Sequence, residues 1–275
     1  MTTHSVNGVE IAVFDWPGSE PAVLLCHATG FHARCWDQIV SRLNGLHCVA
    51  FDFRWHGRSG KPAPPYSWRP FGEDLAQLTR QLGLENAIGV GHSMGGHAVT
   101  LAAALNPAAF SSLLLLDPVI LPQEAYGRPT EPLDFVARRR NEWASSDEMF
   151  ERFKNRAPFE SWDRAVLRDY CEHALSGSVL ACPPVIEAAI YGNSGALDTN
   201  IYPEIATIGQ TVHIVRSRSP YTYGRFDGSP TADDLVSRFK HATDERMDLS
   251  HFIPMEAPDL TARLILNLYN ASRIS

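Results

Sequence analysis

Nothing in this chain is long and apolar enough to cross a membrane. The longest unbroken run of leucine, isoleucine and valine covers only residues 113–116, far short of the ~20 that a spanning helix needs. Residues 1–13 have no basic stretch followed by an apolar one, so no secretory signal is expected. Cysteine is sparse and odd in number. Cys26, Cys35, Cys48, Cys171 and Cys182 form no C-x-x-C pair and no metal-type spacing. A disulfide framework and a metal site are therefore not expected, and the five read as reduced thiols of a cytoplasmic protein. Basic charge is also thin: 24 lysines and arginines against 31 acids leave a net charge of −7, and the one basic run is Arg138-Arg139-Arg140. A nucleic-acid partner would require a phosphate-neutralising surface, and this is none. Internal repeats and low-complexity tracts are absent as well.

The chain does have a 44% apolar fraction and a 20% charged fraction over 275 residues. That composition belongs to a packed globular protein, with room for one large domain or two small ones. Asn7-Gly8 stands between β-type residues, a hairpin signal. Residues 21–27, 47–52, 86–91, 110–118 and 211–215 read as strands apolar on both faces, as in a covered parallel sheet, with a last short strand near 245–249. Leu75, Leu78 and Leu82 recur at helical intervals within 73–84. An apolar helix over 98–105 is stopped by Asn106-Pro107, and a terminal helix is expected over 258–270. Strands alternating with helices predict a mostly parallel sheet.

Residues 119–205 break this rhythm with helical, aromatic-rich segments carrying Phe135, Trp143, Phe150, Phe153, Phe159, Trp162 and Tyr170. An insertion of that length is too long for a plain loop. It is read as a helical cap whose aromatics mostly pack on one another, with one or two facing a pocket below. The expected division is a core of 1–118 and 206–275 with a cap of 119–205.

The informative stretch is Gly89-Val90-Gly91-His92-Ser93-Met94-Gly95-Gly96, a G-x-S-x-G pattern between a strand and a helix. A serine on so sharp a turn adopts a strained backbone and lifts its hydroxyl above the sheet edge, and the residues two positions away must be tiny. The helix that starts at Met94 aims its unsatisfied amides at developing negative charge. The glycines do not form a phosphate loop, since the lysine is missing, and the downstream pattern of a dinucleotide fold is missing too. No metal, nucleotide or flavin cofactor is expected.

With His27-Ala28-Thr29-Gly30 and Trp36, Asp52-Phe53-Arg54-Trp55-His56-Gly57-Arg58-Ser59, the Ser93 turn, and His251-Phe252 with Glu256 and Pro258, the chain resembles the α/β-hydrolase family over nearly its whole length. The resemblance implies an eight-stranded, mostly parallel sheet flanked by helices, with a cap after the sixth strand. It implies Ser93 as nucleophile and His251 as general base. His92 and His97 are read as packing or hydrogen-bonding residues and His27 as a brace for the oxyanion loop. The oxyanion hole is expected from the amides of Met94 and Thr29. Two acids stay open. The family's usual loop, Val215-Arg216-Ser217-Arg218-Ser219-Pro220-Tyr221, holds no carboxylate, and Asp227 comes several residues late. Asp117, at the end of the sixth strand, is preferred because some relatives root the acid there, and Asp227 is the alternative. Asp52 looks structural. Ala28 and Trp55 stand where the family usually has glycine. Arg216 and Arg218 read as solvated loop charges, with pairing to either aspartate or to a substrate carboxylate as the sharper possibility.

The expected function is hydrolysis of a small or medium carboxylic ester. Lactones, thioesters, amides, a carbon–carbon bond of a diketone and a haloperoxidase-like side activity stay open on the same fold. A different class, a non-catalytic small-ligand receptor, is separated by whether Ser93 reacts. A small-molecule substrate and a monomer or homodimer are expected.

Overall fold

The structure, a computed structural model, describes residues 1–127, 133–222, 225 and 227–273. Residues 128–132 of the expected cap, and 223, 224, 226, 274 and 275 of the second core piece, lie outside the described residues. β1 (Thr2–Val6) and β2 (Val9–Trp16) form an antiparallel hairpin. Its turn places Asn7 at φ 48° and Gly8 at φ 77°, the left-handed conformation that selects Asn-Gly. β3 (Ser19–Cys26), β4 (Leu46–Phe51), β5 (Ala87–His92) and β6 (Phe110–Leu116) follow. β7 (Leu175–Ser176) and β8 (Val179–Leu180) make a separate two-stranded pair, and β9 (Thr211–Ser217) and β10 (Ala242–Met247) complete the main sheet. Its eight strands are ordered β1-β2-β4-β3-β5-β6-β9-β10, and β2 alone runs against the others.

Both faces are covered, so the central strands carry apolar side chains on each. In β6, Leu113 and Leu115 enter one core while Leu114 and Leu116 enter the other. The first core lies under the helices Arg69–Gln81 and Met94–Leu105, and the second under Trp36, Ile39 and the terminal helix Pro258–Ser272. Close helix–sheet contact explains Gly89, where a Cβ would meet the Val99 side chain at 2.7 Å.

Two boundaries differ from the sequence expectation. The helix expected over 73–84 runs Arg69–Gln81, because Pro70 fits its first turn and Leu82 already caps its end. The last strand lies earlier than 245–249, at Ala242–Met247. As an edge strand it is half exposed and carries no continuous apolar run to announce it.

Between β6 and β9 the chain forms the helices Ser146–Phe153, Arg164–His173 and Pro184–Gly192. The Ser145 hydroxyl accepts from the Glu148 amide, and the Asp163 carboxylate accepts from the Ala165 and Val166 amides, capping the first two. Trp143, Trp162 and Tyr170 form a third core together with Phe31, after β3, and Phe252, after β10. The aromatics of the insertion therefore pack on the loops at the carboxyl end of the sheet as well as on one another. Among the described residues no helix is long and apolar enough to cross a membrane.

Candidate active site

Ser93 follows β5 at φ 57°, ψ −118° and begins the helix Met94–Leu105. The turn closes only because its neighbours are glycine. A Cβ on Gly91 would lie 2.4 Å from the Gly95 carbonyl oxygen, and one on Gly95 would lie 2.2 Å from that of Cys26. Three amides, of Gly96, His97 and Val119, donate to the Ser93 carbonyl at 3.0, 3.3 and 3.1 Å and lock the turn.

The Ser93 hydroxyl donates to His251 Nε2 at 2.9 Å, and His251 Nδ1–H donates to Asp117 Oδ2 at 2.8 Å. Three residues from distant parts of the chain meet because β5, β6 and the loop after β10 all end on the same side of the sheet. Ligand sites of open α/β sheets lie at these strand ends. Asp117 is fully buried at φ 47°, and its second oxygen accepts from Ser229 and lies 3.2 Å from the Thr231 hydroxyl. A buried carboxylate with this many donors is held in one orientation.

The alternative acid is elsewhere. The Asp227 carboxylate accepts from Arg225 at 2.5 Å, and only its backbone carbonyl reaches the histidine loop, accepting from the His251 amide at 3.2 Å. Arg216 is not a solvated loop charge. It is 2% exposed, donates twice to Asp244 at 3.0 and 2.5 Å, and donates to the Thr231 and Ala232 carbonyls at 3.2 and 3.1 Å. It lies inside β9, where a buried cation must be paired, and it ties down the loop that supplies the Asp117 donors. Arg218 is exposed and pairs with Asp248 at 3.0 Å. Neither arginine pairs with Asp117 or Asp227.

Thr29 is 2% exposed in the loop after β3, and neither its amide nor that of Met94 donates to an acceptor among the described residues. His27 braces this loop: its Nδ1–H donates to the Ala28 carbonyl at 2.7 Å, while Nε2 accepts from the Phe53 amide at 3.1 Å. His92 Nε2–H donates to the His251 carbonyl at 2.8 Å, and His97 Nε2–H to that of Thr199 at 2.8 Å. Burial pushes His92 down to about 3 and His97 to about 4, so both are neutral donors near pH 7. Asp52 accepts from the Ala33 and Arg58 amides at 2.7 Å each, a structural use. Trp55 packs against Tyr66 and Phe71 at φ 68°, the left-handed backbone that favours glycine there. All five cysteines are free and buried, and burial pushes Cys48 and Cys171 up to about 12. As protonated thiols near neutrality, they are poor nucleophiles.

A cavity of about 610 Å³ opens over Ser93 and His251, walled by Trp68, Val119, Leu121 and Tyr191. A second, of about 380 Å³, shares Tyr191 and Arg225 with it and is lined by Phe31, Phe135, Phe159, Trp162, Tyr170 and Phe252. Five insertion aromatics, Phe135, Phe159, Trp162, Tyr170 and Tyr191, thus face a cavity where one or two were expected. This second cavity also holds two residues that the sequence reading missed, Arg139 and Glu187. Arg139 was hidden in a basic run that looks solvated. Glu187 did leave a signal, a lone carboxylate within Pro184-Val185-Ile186-Glu187-Ala188-Ala189-Ile190. Among the described residues no cluster of three histidine, cysteine or acidic side chains could hold a metal ion.

The chain is 27% identical over 274 residues to a 2-(acetamidomethylene)succinate hydrolase of Mesorhizobium japonicum, covering 92% of this chain and 90% of that one. It is 28% identical over 188 residues to a type I acyl-CoA thioesterase of Penicillium roqueforti, 61% of this chain but only 42% of that protein's length. The crystal structure of E-2-(acetamidomethylene)succinate hydrolase superposes with a TM-score of 0.76 at 22% identity over 98% of each chain. That of the enol-lactonase from Burkholderia xenovorans LB400 superposes with a TM-score of 0.72 at 20% identity, covering 98% of this chain and 100% of that one. The model of the alpha/beta hydrolase family matches residues 23–264. The chain belongs to the alpha/beta hydrolase family, and its hydrolase-named relatives support a hydrolytic role.

Proposed function

We propose that this protein is a serine hydrolase that cleaves a small or medium carboxylic ester through an acyl-enzyme on Ser93. The observation that carries the reading is the unbroken hydrogen-bond line from Ser93 Oγ through His251 to Asp117, at 2.9 and 2.8 Å. A serine hydroxyl is inert near neutrality without a base in reach. In the proposed cycle His251 Nε2 takes the Ser93 proton as Oγ attacks the acyl carbon. Asp117 holds Nδ1–H, fixing the tautomer and stabilising the imidazolium. The amides of Met94 and Thr29 stabilise the oxyanion. The imidazolium then protonates the leaving alcohol, and a water activated by the same histidine releases the acid. The segment 119–205 acts as a cap that walls the substrate from solvent.

Thioesters are the second reading, favoured by the likeness to a fungal acyl-CoA thioesterase. They use the same acyl-enzyme and differ only in the leaving group.

The test is a fluorophosphonate probe on the folded protein. Covalent labelling that disappears in Ser93→Ala, together with turnover across a panel of esters, thioesters and lactones, supports the mechanism. An unlabelled Ser93 in folded protein favours a non-catalytic receptor, and turnover surviving in Ser93→Ala overturns the serine mechanism.

A further inference from the structure

Half of the residues that line the cavity beside the Ser93–His251 pair are aromatic, yet Arg139 and Glu187 line it too, with Arg225 and Asp227. The Glu187 side chain is only 4% exposed, and Arg139 Nη2 donates to its Oε2. Arg139 itself keeps 38% of its side-chain surface accessible, and that surface borders the cavity. A guanidinium has five N–H donors. Only one of those on Arg139 meets an acceptor among the described residues. The pair is also fixed against the loop after β3. A Cβ on Gly30 would lie 2.6 Å from Glu187 Oε1, and Gly30 directly follows Thr29. The other cation on this wall, Arg225, is bonded to Asp227 at 2.5 Å.

We propose that Arg139, held in place by Glu187, binds a carboxylate at the far end of the substrate, so that the enzyme prefers acyl esters whose acyl chain ends in a second, free carboxylate. This specificity rests on the ester-hydrolase reading given above. A planar guanidinium with donors left over after Glu187 suits a planar carboxylate, which accepts charge-assisted N–H bonds. The Arg139–Glu187 pair offers at most one net positive charge, and only while Glu187 holds a proton, which favours a carboxylate over a dianionic phosphate. The rings of Phe31, Trp162 and Phe252 would cover the chain between the two ends, and Phe252 adjoins His251 in sequence. The carboxylate at the end of that chain would then meet the accessible surface of Arg139.

The experiment compares 4-nitrophenyl monoesters of dicarboxylic acids, from succinate to suberate, with 4-nitrophenyl alkanoates of equal length. In the wild type at least one acid monoester is expected to exceed its neutral counterpart in kcat/KM by about tenfold or more, a gain typical of a charge-assisted hydrogen bond. Arg139→Met is expected to collapse that ratio toward one, chiefly through KM, and Arg139→Lys to keep part of it. No acid preference in the wild type, or a preference undiminished in Arg139→Met, overturns the proposal. Fluorophosphonate labelling of Ser93 reports whether each variant is folded. If Arg139→Met is not labelled, Arg139→Lys and Arg139→Gln carry the same comparison. If the wild type turns over no ester, the ester-hydrolase reading fails separately. Calorimetric titration of free glutarate, adipate and pimelate then decides the subsite, since binding lost in Arg139→Met supports it and no binding to the wild type overturns it.

Discussion

His92, the residue before Ser93, donates its Nε2–H to the backbone carbonyl of His251 at 2.8 Å. The turn that carries the serine therefore also holds the loop that carries its histidine, and the two rings lie 5.2 Å apart. Because burial keeps His92 neutral, this bond does not titrate near neutral pH. His92→Ala should cost about 1–3 kcal/mol through the cavity and the lost bond. It should lower kcat by about tenfold or more as the His251 loop loosens. Denaturant melts and ester kinetics measure the two effects, and an unchanged kcat would show that His92 only fills space.

Asp117→Asn should reduce kcat by about 10⁴-fold while the fold persists, since the amide holds the wrong histidine tautomer. Asp227→Asn should change it by no more than about threefold, because its carboxylate contacts Arg225 and not His251. Steady-state hydrolysis of one ester by both variants is the measurement. The opposite ranking would transfer the acid role to Asp227.

Burial pushes the Glu187 carboxyl up to about 7, and the Arg139 charge offsets only part of this. An acid raised on folding binds its proton more tightly in the folded state. Its contribution is full below the ordinary carboxyl range and is lost as pH rises to about 7, a change of roughly 2–3 kcal/mol. Wild type should therefore lose stability relative to Glu187→Gln between about pH 5 and about pH 8. Denaturation curves for both proteins at the two pH values read this difference, and parallel pH dependence would contradict the raised value.

Arg216→Met should destabilise the protein by about 3–5 kcal/mol, because Asp244 would be left without its buried partner. The Thr231 and Ala232 carbonyls would also lose their donor. Activity per folded molecule should fall as well, since that loop supplies Thr231 to Asp117. Denaturant melts and active-site titration separate the two losses. A variant as stable as the wild type would show the ion pair to be dispensable.

Much of the frame could be read from local chemistry. Asn7-Gly8 announces its hairpin because few other pairs tolerate two left-handed residues. Residues 113–116 announce a buried strand because both faces of β6 are covered. β10 announces itself poorly because half of an edge strand meets solvent. The Ser93 turn is legible because Gly91 and Gly95 are steric necessities written directly into the chain.

By itself, then, the amino-acid order determined most of the sheet's strands and the serine turn, while His251 stood out through the resemblance to a known family. Local sterics and hydrophobic period act over a few residues, and a single chain records them directly. Only the tertiary structure placed the carboxylate of Asp117, and not that of Asp227, beside His251 Nδ1. Both are acids near strand ends, and the choice depends on which carboxylate the fold turns toward His251 Nδ1. It alone moved Arg216 from the surface to the interior, and it alone took Arg139 out of a basic run and set it beside Glu187 in the aromatic cavity. Those outcomes depend on partners 28 and 48 residues away in sequence, and no local pattern encodes which distant groups a folded chain brings together.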